Sequence, residues 1–188
     1  MARLDSEKDR MLRGEPYLAN DPALLEERKQ CRLACERFNA TSFGESGARR
    51  AILRELLGQI GDDAEVMAPF DCDYGYQISI GARTFINFGA VVLDEAQVTI
   101  GDDVQIGPGV RLLTALHPLD PIDRRRGTET AKPVTIGDGA WLAAGVIVCP
   151  GVSIGDDTVV GAGSVVTTDL PPGHLCFGNP CRVIREIR

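Results

Sequence analysis

The chain has 188 residues, 44% hydrophobic and 25% charged, with a net charge of −7 at pH 7. That composition supports a folded core and excludes a disordered chain. The acidic balance argues against nucleic acid as the main partner, because phosphate-backbone binding needs a basic surface. The first segment, Met1 to Arg13, is charged throughout, and no stretch reaches the roughly 20 apolar residues of a membrane span. The expectation is a cytoplasmic protein with no membrane partner.

The first 60 residues carry helical periodicity. Leu24, Leu25, Arg28, Cys31, Leu33, Ala34 and Phe38 recur at helical spacing, with Asp21 placed to cap and Pro22 at the first helical position, which predicts a helix over Pro22 to Asn39. A second helix is predicted from Ser46 to Gln59, with Ile52, Leu53, Leu56 and Leu57 inward. Residues 1–62 thus read as a helical cap region. Six cysteines stand at 31, 35, 72, 149, 176 and 181, without a C-x-x-C pair, and the chain has two histidines. The reading is buried free thiols and no metal site.

From residue 63 a different rhythm takes over. Ile136, Leu142, Val148, Ile154, Val160 and Val166 follow one another every six positions, and Ala140, Val146, Val152, Thr158 and Ser164 hold the site four residues after each of the first five. The same register appears in Ile80, Ile86 and Val92 and in Ile100, Ile106 and Leu112. A period of six fits neither an α-helix nor a hairpin; it is the hexapeptide pattern of a parallel β-helix, with three hexapeptides to a triangular coil. Glycine and asparagine are expected to ease the corners. The rhythm breaks over residues 113–135, where Pro118, Pro121 and Pro133 predict an irregular protruding loop, a usual place for function on a rigid scaffold. Pro171-Pro172-Gly173 is read as the end of the coil, leaving residues 171–188 as a C-terminal arm folded back along it.

Five segments in order resemble the maltose and galactoside O-acetyltransferase family of hexapeptide acyltransferases. They are Glu7 to Tyr17 (EKDRMLRGEPY), Arg28 with Phe38-Asn39, Phe70 to Tyr76 with Phe85 to Phe88, Thr114 to Pro118 (TALHP), and Gly178 to Arg182 (GNPCR). The resemblance implies a mainly β fold: a left-handed parallel β-helix over 63–170 with an N-terminal α-helical cap and a C-terminal arm. It also implies a homotrimer with its sites between subunits, and direct acetyl transfer from acetyl-CoA, as co-substrate, to a hydroxyl of a sugar-like acceptor.

Residue by residue, the resemblance makes His117 the general base, a role suited to an imidazole whose ordinary pKa is near 6.5. His174, in the tail, reads as structural. Ala144, where related members carry Ser, supplies the backbone N–H for the oxyanion. Asn87 lines both the acceptor and the acyl pocket. Arg28, Asp73, Asp94 and Glu95 fall at acceptor-binding positions, Glu95 being the nearer match for the family's carboxylate. Trp141, Ala162 and Thr167 line the pantetheine arm, and Arg182 and Arg185 face the nucleotide end. Thr168 replaces a lysine common in the family, and Ala19 stands where some members have an acceptor-binding aspartate. The alternative is a hexapeptide acetyltransferase of a serine or antibiotic acceptor. The trimeric β-helix carbonic anhydrases need three histidines per site, which this chain lacks.

Overall fold

The computed structural model describes residues 5–187, so the ends of the predicted cap and arm, residues 1–4 and 188, lie outside the described residues. The body is a parallel β-helix with three faces. The first face stacks Gln59–Ile60, Ile78–Ile80, Val98–Ile100, Val134–Ile136 and Ser153–Ile154. The second stacks Phe70–Cys72, Ala90–Leu93, Arg111–Leu113, Ile147–Val148 and Val165–Val166. The third runs from Glu65–Val66 through Phe85–Ile86, Gln105–Ile106, Trp141–Leu142 and Val159–Val160 to His174–Gly178, with Cys181–Glu186 at its edge.

Register follows the repeat. Ile80, Ile100, Ile136 and Ile154 stand in one column, and Ile86, Ile106, Leu142 and Val160 in another. Every one of the twelve predicted aliphatic positions is at most 2% exposed. Where the small site carries a hydroxyl, that group is buried against backbone: Thr84 Oγ1 donates to Gly101 O and accepts from Val104 N, and Thr158 Oγ1 donates to Pro171 O. At the corner after the first face the left-handed turn is made by Asp63, Arg83, Asp103, Gly139 and Asp157, not by glycine and asparagine alone. The residue just before the left-handed one clamps the stack: Asp102 Oδ1 accepts from Ala82 N, Asp138 Oδ1 from Asp102 N, and Asp156 Oδ1 from Asp138 N, at 2.8–3.0 Å.

The helices close the first coil. Helix α1 (Glu7–Leu12), absent from the sequence reading, is held by a capping box between Ser6 and Asp9. Helix α2 (Pro22–Asn39) is as predicted, capped by Asp21. Helix α3 (Ser46–Leu56) stops three residues short of the predicted Gln59, because Gln59–Ile60 is already a strand of the first face. Cap side chains satisfy the coil's open edge. Asn39 pairs with both the N–H and the C=O of Phe70, Arg49 donates to Val66 O, and Arg50 donates to Gly61 O and Ala64 O. These residues occupy the hydrogen-bonding places of a missing coil.

Two expectations are corrected at the far side. The loop 113–135 is not irregular: Ala115–Leu116 and Thr128–Ala131 pair antiparallel, Tyr17–Leu18 joins them as a third strand, and helix α4 (Pro121–Arg125) starts at Asp120. Pro121 opens α4 at its first position, whereas the antiparallel ladder runs between segments without proline. Nor does Pro171-Pro172-Gly173 end the coil. His174–Gly178 pairs in parallel with Val159–Val160 and only then turns into the antiparallel strand Cys181–Glu186.

Candidate active site

The breaks in the six-residue rhythm fall at one corner, after the second face. Cys72 to Ile80 and Val92 to Ile100 each span eight residues, and Leu112 to Ile136 spans twenty-four, where Val148 to Ile154 spans six. The extra residues of three successive coils meet there. Asp94 is fully buried; its Oδ1 accepts from Asp73 N at 3.1 Å and Tyr74 N at 2.8 Å, while Oδ2 has no partner among the described residues. Burial pushes its carboxyl up to about 7. Glu95, also buried, lies 3.2 Å from Thr114 Oγ1, and burial together with the neighbouring Asp73 carboxyl pushes it up to about 9. At neutral pH Glu95 therefore holds a proton, which makes it a donor as well as an acceptor.

The structured loop stands over this corner. The Tyr17 hydroxyl donates to Glu129 Oε2 at 2.7 Å, and the other oxygen, Oε1, lies 3.7 Å from His117 Nδ1. Burial and the Glu129 carboxylate both hold the Tyr17 phenol well above its ordinary range. The His117 side chain is 58% exposed whereas that of Glu129 is 15% exposed, so the ring is open to a ligand on its free side. Strand pairing sets this arrangement, with Tyr17 opposite Glu129 and Leu116 opposite Thr130. Arg28 Nη2 donates to Ala19 O at 2.6 Å and Nη1 to the Tyr74 hydroxyl at 3.4 Å, so this arginine is tied into the wall of the corner.

On the third face a small cleft of about 270 Å³ is lined by Phe85, Asn87, Gly107, Trp141, Ala143 and Ala144 among others. Trp141 lies half exposed along it. A Cβ on Gly107 would meet Ala144 N at 2.7 Å, so glycine lets the coils approach here. Ala144 and Ala162 are exposed at the same corner one coil apart, Ala144 O accepting from Gly163 N. Thr167 and Thr168 are exposed just after Val165–Val166. Arg182 and Arg185 lie exposed on the last strand, three strand spacings from Trp141, or about 14 Å. Among the described residues each guanidinium donates to an adjacent carbonyl, Cys181 O and Glu186 O.

The sequence-predicted residues thus form two groups within one chain. Arg28, Asp73, Asp94, Glu95 and His117 gather at the corner of the second face; Asn87, Trp141 and Ala144 share the cleft of the third. Ala162, Thr167, Thr168, Arg182 and Arg185 are strung along the exposed surface towards the last coil. His174 Nδ1 bonds to Pro172 O at 2.6 Å, a structural contact. Sequence reasoning missed Tyr17, Tyr74, Thr114 and Glu129. The rhythm breaks at 73–77 and 94–97 were the available signal for Tyr74; Tyr17 closes the first family-like segment, but nothing local marks its pairing with Glu129, 112 residues away.

Two family models match the chain: the maltose acetyltransferase hexapeptide capping motif over residues 10–61 and the bacterial transferase hexapeptide (six repeats) over residues 133–168. Nodulation protein L of Rhizobium meliloti (strain 1021) is 47% identical over 178 residues, 95% of this chain and 97% of that protein. The crystal structure of a maltose O-acetyltransferase from Clostridium difficile 630 superposes with a TM-score of 0.96 at 45% identity, covering 99% of this chain and 100% of that one. A galactoside acetyltransferase in complex with coenzyme A gives 0.93 at 36% identity, covering 98% of this chain and 92% of that one. With this identity, this coverage and the capping motif on its own helices, the chain belongs to the maltose and galactoside O-acetyltransferase family of hexapeptide-repeat transferases.

Proposed function

We propose that the protein is an acetyl-CoA-dependent O-acetyltransferase whose acceptor is a sugar-like alcohol, with His117 as general base. The observation that carries this reading is the Tyr17–Glu129–His117 arrangement above a corner lined with buried carboxyl groups. A sugar hydroxyl is a poor nucleophile at neutral pH, and a base must take its proton as it attacks. With Nδ1 turned to Glu129, Nε2 is left to receive that proton, and the Glu129 carboxylate stabilises the imidazolium that forms. The hydroxyl oxygen adds to the thioester carbonyl, and the oxyanion is stabilised by the Ala144 N–H. Collapse expels the coenzyme A thiolate, which recovers the proton from His117. No acyl-enzyme intervenes.

The acceptor is oriented by the polar corner. The Asp73 carboxyl offers acceptors to neighbouring hydroxyls, the buried Glu95 carboxyl hydrogen-bonds to it from behind, and Arg28 supports the wall. Acetyl-CoA lies along the small-residue ledge, with its pantetheine arm by Asn87, Trp141, Ala144, Ala162 and Thr167. Its phosphates lie towards Thr168, Arg182 and Arg185. Base and acyl cleft occupy different faces of one chain, so each complete site takes its base from one subunit and its cleft from the next in a homotrimer. The test is thiol release from acetyl-CoA with a panel of mono- and disaccharides, set against serine and hydroxyl-bearing antibiotics. Sugar-dependent release is expected. Release with serine or an antibiotic and with no sugar would overturn the acceptor class.

A further inference from the structure

Three thiols from distant parts of the chain converge beneath the cap. Cys31 and Cys35 lie one turn apart on the buried side of α2, and Cys72 ends the first strand of the second face. Cys72 Sγ is 3.5 Å from Cys31 Sγ and 3.8 Å from Cys35 Sγ, and all three sulfurs lie within 4.8 Å of one another. None of the three residues is more than 5% exposed. A single buried cysteine packs as a small hydrophobe; three whose sulfurs face one point form a donor set. A metal–thiolate bond of about 2.3 Å in a planar trigonal site sets its sulfurs about 4 Å apart. The two spacings to Cys72, 3.5 and 3.8 Å, lie just below that value and the third is within 4.8 Å, so a cation fits with a small outward movement of the sulfurs.

The donor chemistry narrows the cation. Among the described residues no histidine or carboxylate oxygen joins the group, so the set is all sulfur and three-coordinate. Zinc in structural sites takes four ligands, whereas Cu(I) is selected by soft thiolates. A groove of about 680 Å³ along α2 reaches Cys31 and gives a route of entry; its carboxylates Glu27 and Glu55 are paired with Lys8 and Arg37 of the same groove, so entry does not rest on charge attraction.

We propose that Cys31, Cys35 and Cys72 form a three-sulfur site for Cu(I) that fastens the helical cap to the first coil. The copper remains Cu(I) and no sulfur is oxidised; each thiol that binds gives its proton to solvent. Cys72 directly precedes Asp73 of the acceptor corner, but none of the three sulfurs takes part in the acetyl-transfer reading, and the copper test does not depend on it.

The experiment titrates the full reduced chain with Cu(I), without oxygen, against bicinchoninate as a competing chelator. One copper per chain is expected, together with a thiolate-to-copper absorption band. Cys31→Ser and Cys72→Ser should each weaken retention by more than about tenfold, and Cys149→Ser should leave it unchanged. Failure to hold copper against the chelator, or equal retention by Cys31→Ser, overturns the proposal. If Cys72→Ser does not fold, X-ray absorption of the copper-loaded wild-type chain decides. Three sulfurs at about 2.3 Å support the site, and two sulfurs refute it.

Discussion

Asp94 makes stability depend on pH in a direction opposite to that of most carboxylates. Burial raises its pKa from 3.8 to about 7. The unfolded chain loses this proton near pH 4 and the folded chain near pH 7. Between those values the folded state holds the additional proton, so stability falls as pH rises through the window and levels off above it. About three pKa units at 1.36 kcal/mol each correspond to about 4 kcal/mol, an upper bound for a site that water reaches on local opening. Asp94→Asn keeps an oxygen to accept from Asp73 N and Tyr74 N and removes the ionisation. The variant should match the wild type at pH 4 and exceed it progressively up to pH 8, by up to about 4 kcal/mol. Asp94→Ala, which loses the same ionisation, should lie below Asp94→Asn by about 1–3 kcal/mol for each backbone N–H left unpaired, at every pH. Urea unfolding at pH 4, 6 and 8, with protein concentration held fixed, measures the differences. A gap between Asp94→Asn and wild type that stays constant, or that widens towards acid, would refute the reasoning.

Replacing His117 with Ala should lower kcat by about 10²–10⁴-fold and leave the KM for acetyl-CoA nearly unchanged; near-normal turnover in steady-state kinetics would remove the base from His117. Glu129→Gln keeps an acceptor for the Tyr17 hydroxyl but loses the charge beside the imidazole, so kcat should fall at least about tenfold at unchanged acetyl-CoA KM, and an unaltered kcat would count against the pairing. Arg182→Ala combined with Arg185→Ala should raise the KM for acetyl-CoA and spare that for the acceptor, read from initial rates with each substrate varied in turn. Light scattering should give three times the 20.2 kDa chain mass; a monomer at working concentration would leave the base and the acyl cleft without a partner.

Legibility in the sequence followed the range of the interaction. The twelve stacked aliphatic positions could be read because each coil repeats the last, and α2 could be read because Asp21, Pro22 and one apolar face are local signals. Helix α1 went unseen because its six residues carry one buried side chain, Met11, too few for a period to emerge. The loop 113–135 looked irregular because its order comes from outside it: Tyr17–Leu18, more than a hundred residues earlier, supplies the third strand. The same long reach hid Glu129, whose partner Tyr17 is fixed only by that pairing. Asp94 and Glu95 could be read as lying at a coil corner, but their full burial depends on the coils above and below, which adjacent residues do not encode.

The way the cap meets the first coil also decides how copies of this protein can grow. A bare coil end presents peptide groups ready to accept another strand, and stacked solenoids could add to one another without limit. Asn39, Arg49 and Arg50 already occupy those groups at Phe70, Val66, Gly61 and Ala64. End-to-end filament growth at that end would first have to strip side-chain hydrogen bonds from backbone carbonyls, each worth about 1.5–3 kcal/mol when the donor is charged. That end is thereby closed to end-on growth, which leaves the side faces for the closure of the proposed trimer.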